Sequence, residues 1–436
     1  MIPPGPGEAP MTVYRSPSAF DIFDVAEVNH IGHYLQEVLD RQYLLADRSI
    51  ANFIFQFAHT SHSAKSAMCL LSALHMNCMK KLSPTSDIHE TSTEDMNLFY
   101  GRTKKALTEK VQFEQYDEGD AMASLHVVSS FLFTGGRGPW PFFLTIAMNW
   151  VEAKLRDPRY THLEDILYRA SESESFIIRT TMWFDVWASI TQIRQPRFLN
   201  VYRQLFGNPR SYVVEADQGM NSPDILGGPS YLSMVPIVGC TNESFRAMAE
   251  IANLASWKET ENEQSRLSIP TLVQRGLQIE EMYLPRLRPT VQEPTNEMEF
   301  RRKVVSDVFR ASARVYLHTV LSKGYPSCPE IEDGVAETIE CLKLVPPQEG
   351  MTTRAVVRSV VFSICICGCL TDRPDQQQFL LQRLESLGEE ANVFGNCAEV
   401  KKLMQKVWAM REERKGMALC WKEIMQEGGS DILLLV

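Results

Sequence analysis

The sequence predicts an all-α fold, a large multi-helix array or bundle with no substantial sheet. Nearly every apolar segment repeats at three-to-four-residue spacing, the period of a helix with one buried face. No segment combines sustained two-residue alternation with an Asn-Gly or Asp-Gly turn to close a hairpin. At 436 residues the chain is also too long for one compact core, which leaves two domains or an extended helical array with a continuous interior.

Residues 1–28, rich in proline and glycine in "MIPPGPGEAPM", read as a flexible tail or linker. The first helix is expected in "NHIGHYLQEVLDRQYLL", where Ile31, Leu35, Val38 and Leu39 share a face. A second, "AKSAMCLLSALHMNCMKKL", aligns Met68, Leu71, Leu74 and Cys78, and Lys80 and Lys81 suit the negative end of its dipole. Ser92 before Asp95 resembles an N-cap for a long third helix. The acid cluster "YDEGD" reads as another helix N-terminus, and Gly135, Gly136, Gly138 and Pro139 separate two apolar helices. The helix containing "WFDVWASITQIRQPRF" is expected to break at Gln195-Pro196. The Gly, Pro and Ser-rich stretch near 207–230 is the expected boundary between two subdomains of a helical unit spanning 29–436. Further helices follow through "RKVVSDVFRASARVYLHTVLSKG" and "EIEDGVAETIECLKLV" to "AEVKKLMQKVWAMREERKGMALCWKEIMQEGG". The apolar ending "SDILLLV" is expected to pack back onto the body.

Composition is ordinary for a soluble globular chain, with 44% hydrophobic and 22% charged residues. The N-terminus has neither the basic nor the apolar region of a signal peptide, and the longest apolar run, after Arg358, is too short to span a bilayer. A soluble intracellular protein is therefore expected, with its ten cysteines as free thiols. The net charge is −10, and the basic clusters at 102–105, 301–303 and 401–402 are small and scattered. DNA binding needs several cations gathered on one face, so the chain alone is a poor candidate for it.

No catalytic signature survives inspection. "GGRGPW" lacks the P-loop lysine and the G-x-G-x-x-G spacing, and no G-x-S-x-G elbow or H-E-x-x-H pair occurs. His30 and His33, like His59 and His62, lack neighbouring ligands, and the aspartate-rich motif of helical terpene cyclases is missing. "FSICICGCL" places Cys365, Cys367 and Cys369 at alternate positions. On a helix successive thiols lie about 200° apart and diverge, so packing rather than metal binding is expected. The purified chain should hold no stoichiometric zinc, which elemental analysis checks. Aromatic residues concentrate on two neighbouring helices, where helical spacing makes them core residues first and ligand-lining residues second. If a ligand or regulatory pocket exists, its expected residues are Arg137, Trp140, Phe143, Trp183, Phe184, Asp185 and Trp187, with Asp185 equally suited to buried capping or ion pairing.

Several segments in order carry a resemblance: "LLSALHM", "WFDVWASITQIRQPRF", "ASARVYLHTVLSKGYP", "FSICICGCLTDRPDQQQFLLQRL", "VWAMRE" and "WKEIMQEGGSDILLLV". Together, from Asn29 to Val436, they resemble the regulatory domain of the fungal-specific transcription factors. In that family the cysteine segment corresponds to an apolar helix around a glycine, here Gly368, before an arginine-bearing turn, here Arg373. The resemblance implies a nuclear, non-enzymatic effector domain controlling RNA polymerase II transcription, with cytoplasmic residence as the alternative. It implies a homodimer, transcription machinery or co-regulator proteins and a small-molecule effector as partners, and no membrane. The family's zinc cluster, C-x2-C-x6-C and its second half, does not occur here, so zinc and DNA would enter only through a region upstream of this chain. The alternatives are an orphan helical interaction scaffold without DNA binding and an unrecognised all-α enzyme.

Overall fold

The computed structural model describes residues 24–82, 93–111, 115–159, 162–206, 233–284, 293–414, 419–427 and 432–436, and every regular element among them is helical. In chain order these are α1 (Val25–His33), a π-helical turn (Tyr34–Val38), α2 (Leu39–Gln42), α3 (Ile50–Thr60), α4 (His62–Leu82), α5 (Thr93–Val111), α6 (Glu118–Phe133) and α7 (Trp140–Leu155). There follow α8 (Leu163–Arg169), α9 (Glu172–Gln192), α10 (Leu199–Leu205), α11 (Val235–Val238), α12 (Asn242–Glu263), α13 (Ile269–Tyr283) and α14 (Glu297–Ser322). The last are α15 (Pro329–Lys343), α16 (Met351–Ser359), α17 (Val361–Cys369), α18 (Pro374–Glu385), α19 (Glu390–Val393), α20 (Cys397–Glu413) and α21 (Trp421–Gln426).

The first helix shows how local geometry corrects a simple periodicity. Ile31, Val38 and Leu39 are buried as expected, but Tyr34 is fully buried while Leu35 is only half-buried. The π-turn at Tyr34–Val38 widens the helix by one residue and shifts the face that meets the core. Tyr34 then donates its hydroxyl hydrogen to Gln42 Oε1 at 2.7 Å. α4 lies between α1, α5 and α6 and is buried on nearly all sides. Its small residues Ala64, Ala67, Ser72 and Ala73 have almost no exposed surface, which lets the flanking helices approach closely.

Side-chain caps set the start of several helices. Asp117 and Asp120 form a capping box at α6, as the "YDEGD" cluster suggested, and Ser171 with Glu174 does the same at α9. Thr241, Ser268 and Asn296 accept hydrogen bonds from the first turns of α12, α13 and α14. α9 stops at Gln192, ahead of the expected Gln195-Pro196 break, because Ile193 adopts a left-handed conformation with φ 53°. The expected Ser92 cap, the 1–23 portion of the tail and the 207–230 boundary lie outside the described residues.

In the second half, α14 is the hub, packed by α12, α13, α15, α16 and α17. α17 carries the alternating cysteines and is buried at every position. Successive thiols diverge, but Cys365 and Cys369, four apart, share a face, and the neighbouring Cys369 thiol together with burial pushes the Cys365 pKa well up. The carbonyls that end α17 are satisfied by α20: Trp408 donates to Gly368 O and Arg411 to Cys369 O, both at 2.7 Å. α16 and α17 meet at a 61° bend, and no single described helix is long and apolar enough to cross a membrane. The buried apolar residues from Ile31 to Leu435 form one contiguous core that joins both halves.

Candidate functional site

A cavity of about 130 Å³ opens where elements distant in sequence converge. The end of α2 and its following turn contribute Arg41 and Tyr43, α6 contributes Ser129 and Phe133, and α9 contributes Thr180, Trp183 and Phe184. Opposite them stand Arg358 and Val361 from the two sides of the α16–α17 bend, and Gly395 to Cys397 at the start of α20. Val436 also borders it. Gly395 has φ 116°, its N–H donates to Phe133 O at 2.9 Å, and a Cβ there would lie 2.8 Å from Arg358 Nη2. Only glycine lets the chain pass so close to that guanidinium.

The walls are mainly aromatic and aliphatic, yet three buried polar atoms among them have no hydrogen-bond partner in the described residues: Tyr43 Oη, Thr180 Oγ1 and Arg358 Nη1. A buried polar atom left unpaired costs roughly 1–3 kcal/mol, so three around one cavity call for an explanation. Burial pushes the Tyr43 hydroxyl pKa up and pulls that of Arg358 down. Beside the cavity, the Glu390 carboxylate is faced by Arg41 at 3.0 Å, Arg354 at 3.5 Å and Arg358 at 3.6 Å. Burial works against the charge of Glu390, but Arg41 and Arg358 outweigh it and hold its pKa below the usual range. Glu37 and Glu349, which also pair with Arg41 and Arg354, are about half exposed and therefore screened.

The residues expected to form a pocket are divided by the structure. Trp183 and Phe184 line this cavity. Trp187 packs instead against Phe309 and Phe362, and Phe143 against Phe131 and Tyr100. Trp140 is fully buried and donates from Nε1 to Ile432 O at 2.9 Å. Arg137 faces Glu399 at 3.4 Å and Met425 O at 3.3 Å, remote from Asp185 in the hydrogen-bond network. Asp185 has no exposed surface and accepts from Arg194, from the N–H groups of Arg197 and Phe198, and from the Tyr202 hydroxyl. It is the capping and ion-pairing residue of its local turn. A cleft of about 180 Å³ does lie between α7 and α9, bordered by Trp140, Met148, Arg194 and Arg197, but its arginines are engaged by Asp185 and Glu152.

The profile of the fungal specific transcription factor domain matches residues 29–435. The chain belongs to this family. Its curated relatives include the trichothecene biosynthesis transcription regulator of Trichoderma arundinaceum, 27% identical over 288 residues, covering 66% of this chain and 60% of the relative. The same regulator of Fusarium sporotrichioides is 27% identical over 210 residues, 48% of this chain and 47% of its own length. The ustiloxin B cluster transcription factor of Aspergillus flavus is 23% identical over 288 residues, covering 63% and 44% respectively. The chain thus spans about half the length of the curated relatives it matches. No solved structure matches it.

Of the residues expected from the sequence, Trp183 and Phe184 line this cavity, whereas Phe133 and the polar residues of its wall were not among them. Arg358 carried a usable signal, a lone cation in the apolar run "AVVRSVVFS". Tyr43, Thr180 and Asn396 carried none, because only the packing of α2, α9 and α20 brings them together.

Proposed function

We propose that this chain is the non-enzymatic regulatory domain of a fungal transcription regulator governing a biosynthetic gene cluster. It acts in the nucleus, with DNA contact assigned to a region other than residues 1–436. The observation that carries this reading is the family match over 29–435, joined to relatives named as regulators of trichothecene biosynthesis and of the ustiloxin B cluster. A net charge of −10 and the lack of the C-x2-C-x6-C pattern support placing DNA contact elsewhere.

The architecture suits control by population shift. α9, the α16–α17 bend and the start of α20 meet at one cavity, so an effector that fits one arrangement better shifts the balance between arrangements. The same shift would alter the surface offered to co-regulator proteins or to a second copy of the chain. Deleting the gene in its host and sequencing the transcripts tests the proposal. A several-fold change confined to one neighbouring set of biosynthetic genes is expected. An unchanged transcriptome under conditions that switch such clusters on would overturn it and favour a scaffold without regulatory output.

A further inference from the structure

We propose that the cavity beside Arg358 is a receptor site for a small monocarboxylate with an apolar body of about one ring. The inference deepens the reading above by naming the chemical class of the effector, and it rests on that reading only for its biological purpose.

Three independent features specify an anion. First, Arg358 and Arg41 line the cavity, and together with Arg354 they surround a single deeply placed carboxylate, Glu390. The side chain of Arg358 is 8% exposed, and its Nη1 has no hydrogen-bond acceptor. A further carboxylate would supply that acceptor. Second, α20 begins at the cavity, with Asn396 and Cys397 in its wall. No side chain caps this 17-residue helix, and Asn396 at its start donates from Nδ2 to Leu434 O at 3.2 Å. The positive end of its dipole therefore faces the cavity. Third, Thr180 and Tyr43, whose hydroxyls have no partner among the described residues, also line the cavity. Thr180 is only 4% exposed.

The rest of the lining limits the ligand. Trp183, Phe184, Phe133 and Val361 present apolar surface suited to a ring or a branched chain. The volume of about 130 Å³ is close to that of cavities of roughly 150 Å³ known to hold benzene. A phosphate or other dianion would demand more cations than Arg41 and Arg358, both already shared with Glu390, can supply.

The test is calorimetric titration of the full chain with benzoate, phenylacetate and hexanoate, each beside its neutral amide. At least one carboxylate should bind saturably at one site per chain, quench tryptophan fluorescence through Trp183, and outbind its amide at least tenfold. Thr180→Val, which keeps the side-chain shape, should weaken that binding several-fold without altering the melting temperature. Arg358→Gln should abolish it. Because Arg358 also donates to Phe394 O, that variant could lose its fold, and Thr180→Val then carries the comparison. The proposal fails if none of the three acids binds the folded chain, if the amides bind equally well, or if Thr180→Val leaves affinity unchanged. These outcomes are separate from the transcript measurement, so a regulator without this ligand site and a ligand site without a regulatory role are told apart.

Discussion

Asp185 shows how one side chain can organise a turn that the sequence marks only as aromatic. Its carboxylate gathers donors from Arg194, Arg197, Phe198 and Tyr202, all at 2.9–3.1 Å, and joins the end of α9 to the start of α10. The Tyr202 hydroxyl is buried beside it, and burial together with Asp185 pushes the phenol pKa well up. Removing the carboxylate leaves these donors unpaired in the interior. Asp185→Ala should therefore lower unfolding stability by about 3–5 kcal/mol, as for other broken buried pairs. Urea titration checks this, and a loss under about 1 kcal/mol would show that the turn is held by packing alone. The local sequence "RQPRF" announced a turn through its proline, but the acceptor that holds it lies nine residues before Arg194, and only the tertiary structure reveals the link.

Among the elements, the C-terminal strap is the one most dependent on a single backbone position. Residues 432–436 cross the α6–α7 turn, where Leu434 N donates to Gly136 O at 2.7 Å and Trp140 and Asn396 donate to Ile432 O and Leu434 O. Leu433, Leu434 and Leu435 are buried, so the apolar ending does pack onto the body. Gly136 has φ 83°, and a Cβ there would stand 2.7 Å from Leu434 O. Gly136→Ala meets both the left-handed penalty of about 1–2 kcal/mol and this backbone clash. It should release the strap, detected as faster amide exchange at Leu434 with α4 and α14 still protected. Unchanged exchange at Leu434 would mean that the leucine contacts hold the strap without the turn. The glycine cluster was legible as a helix break; its role as a saddle for the chain's last residues depends on a contact nearly 300 positions away in sequence.

For the whole molecule, buried histidines make stability depend on pH. His126 and His75 are each pushed down to about 3, in both cases chiefly by burial, with Arg41 and His33 adding at His75. Unfolded, each titrates at its ordinary 6.5, so below that pH the unfolded chain binds protons the folded chain refuses. Their stabilising effect is thus complete above pH 6.5 and declines as the pH falls toward 3. At pH 5 each histidine should cost about 2 kcal/mol relative to pH 7. Urea titrations at the two pH values, repeated on His126→Asn, should show the variant losing less stability on acidification. Equal losses in the two proteins would contradict the assignment. The sequence by itself determined the helical class, the capped start of α6 and the burial of the cysteine segment, because periodicity and capping act within a few residues. It also determined the family, through motifs that extend along the chain. Only the tertiary structure decided the π-turn that buries Tyr34, the separation of Arg137 from Asp185, and the meeting of Arg41, Tyr43, Thr180 and Arg358 around one cavity. Those outcomes depend on how helices far apart in sequence cross and pack, and no local pattern encodes that.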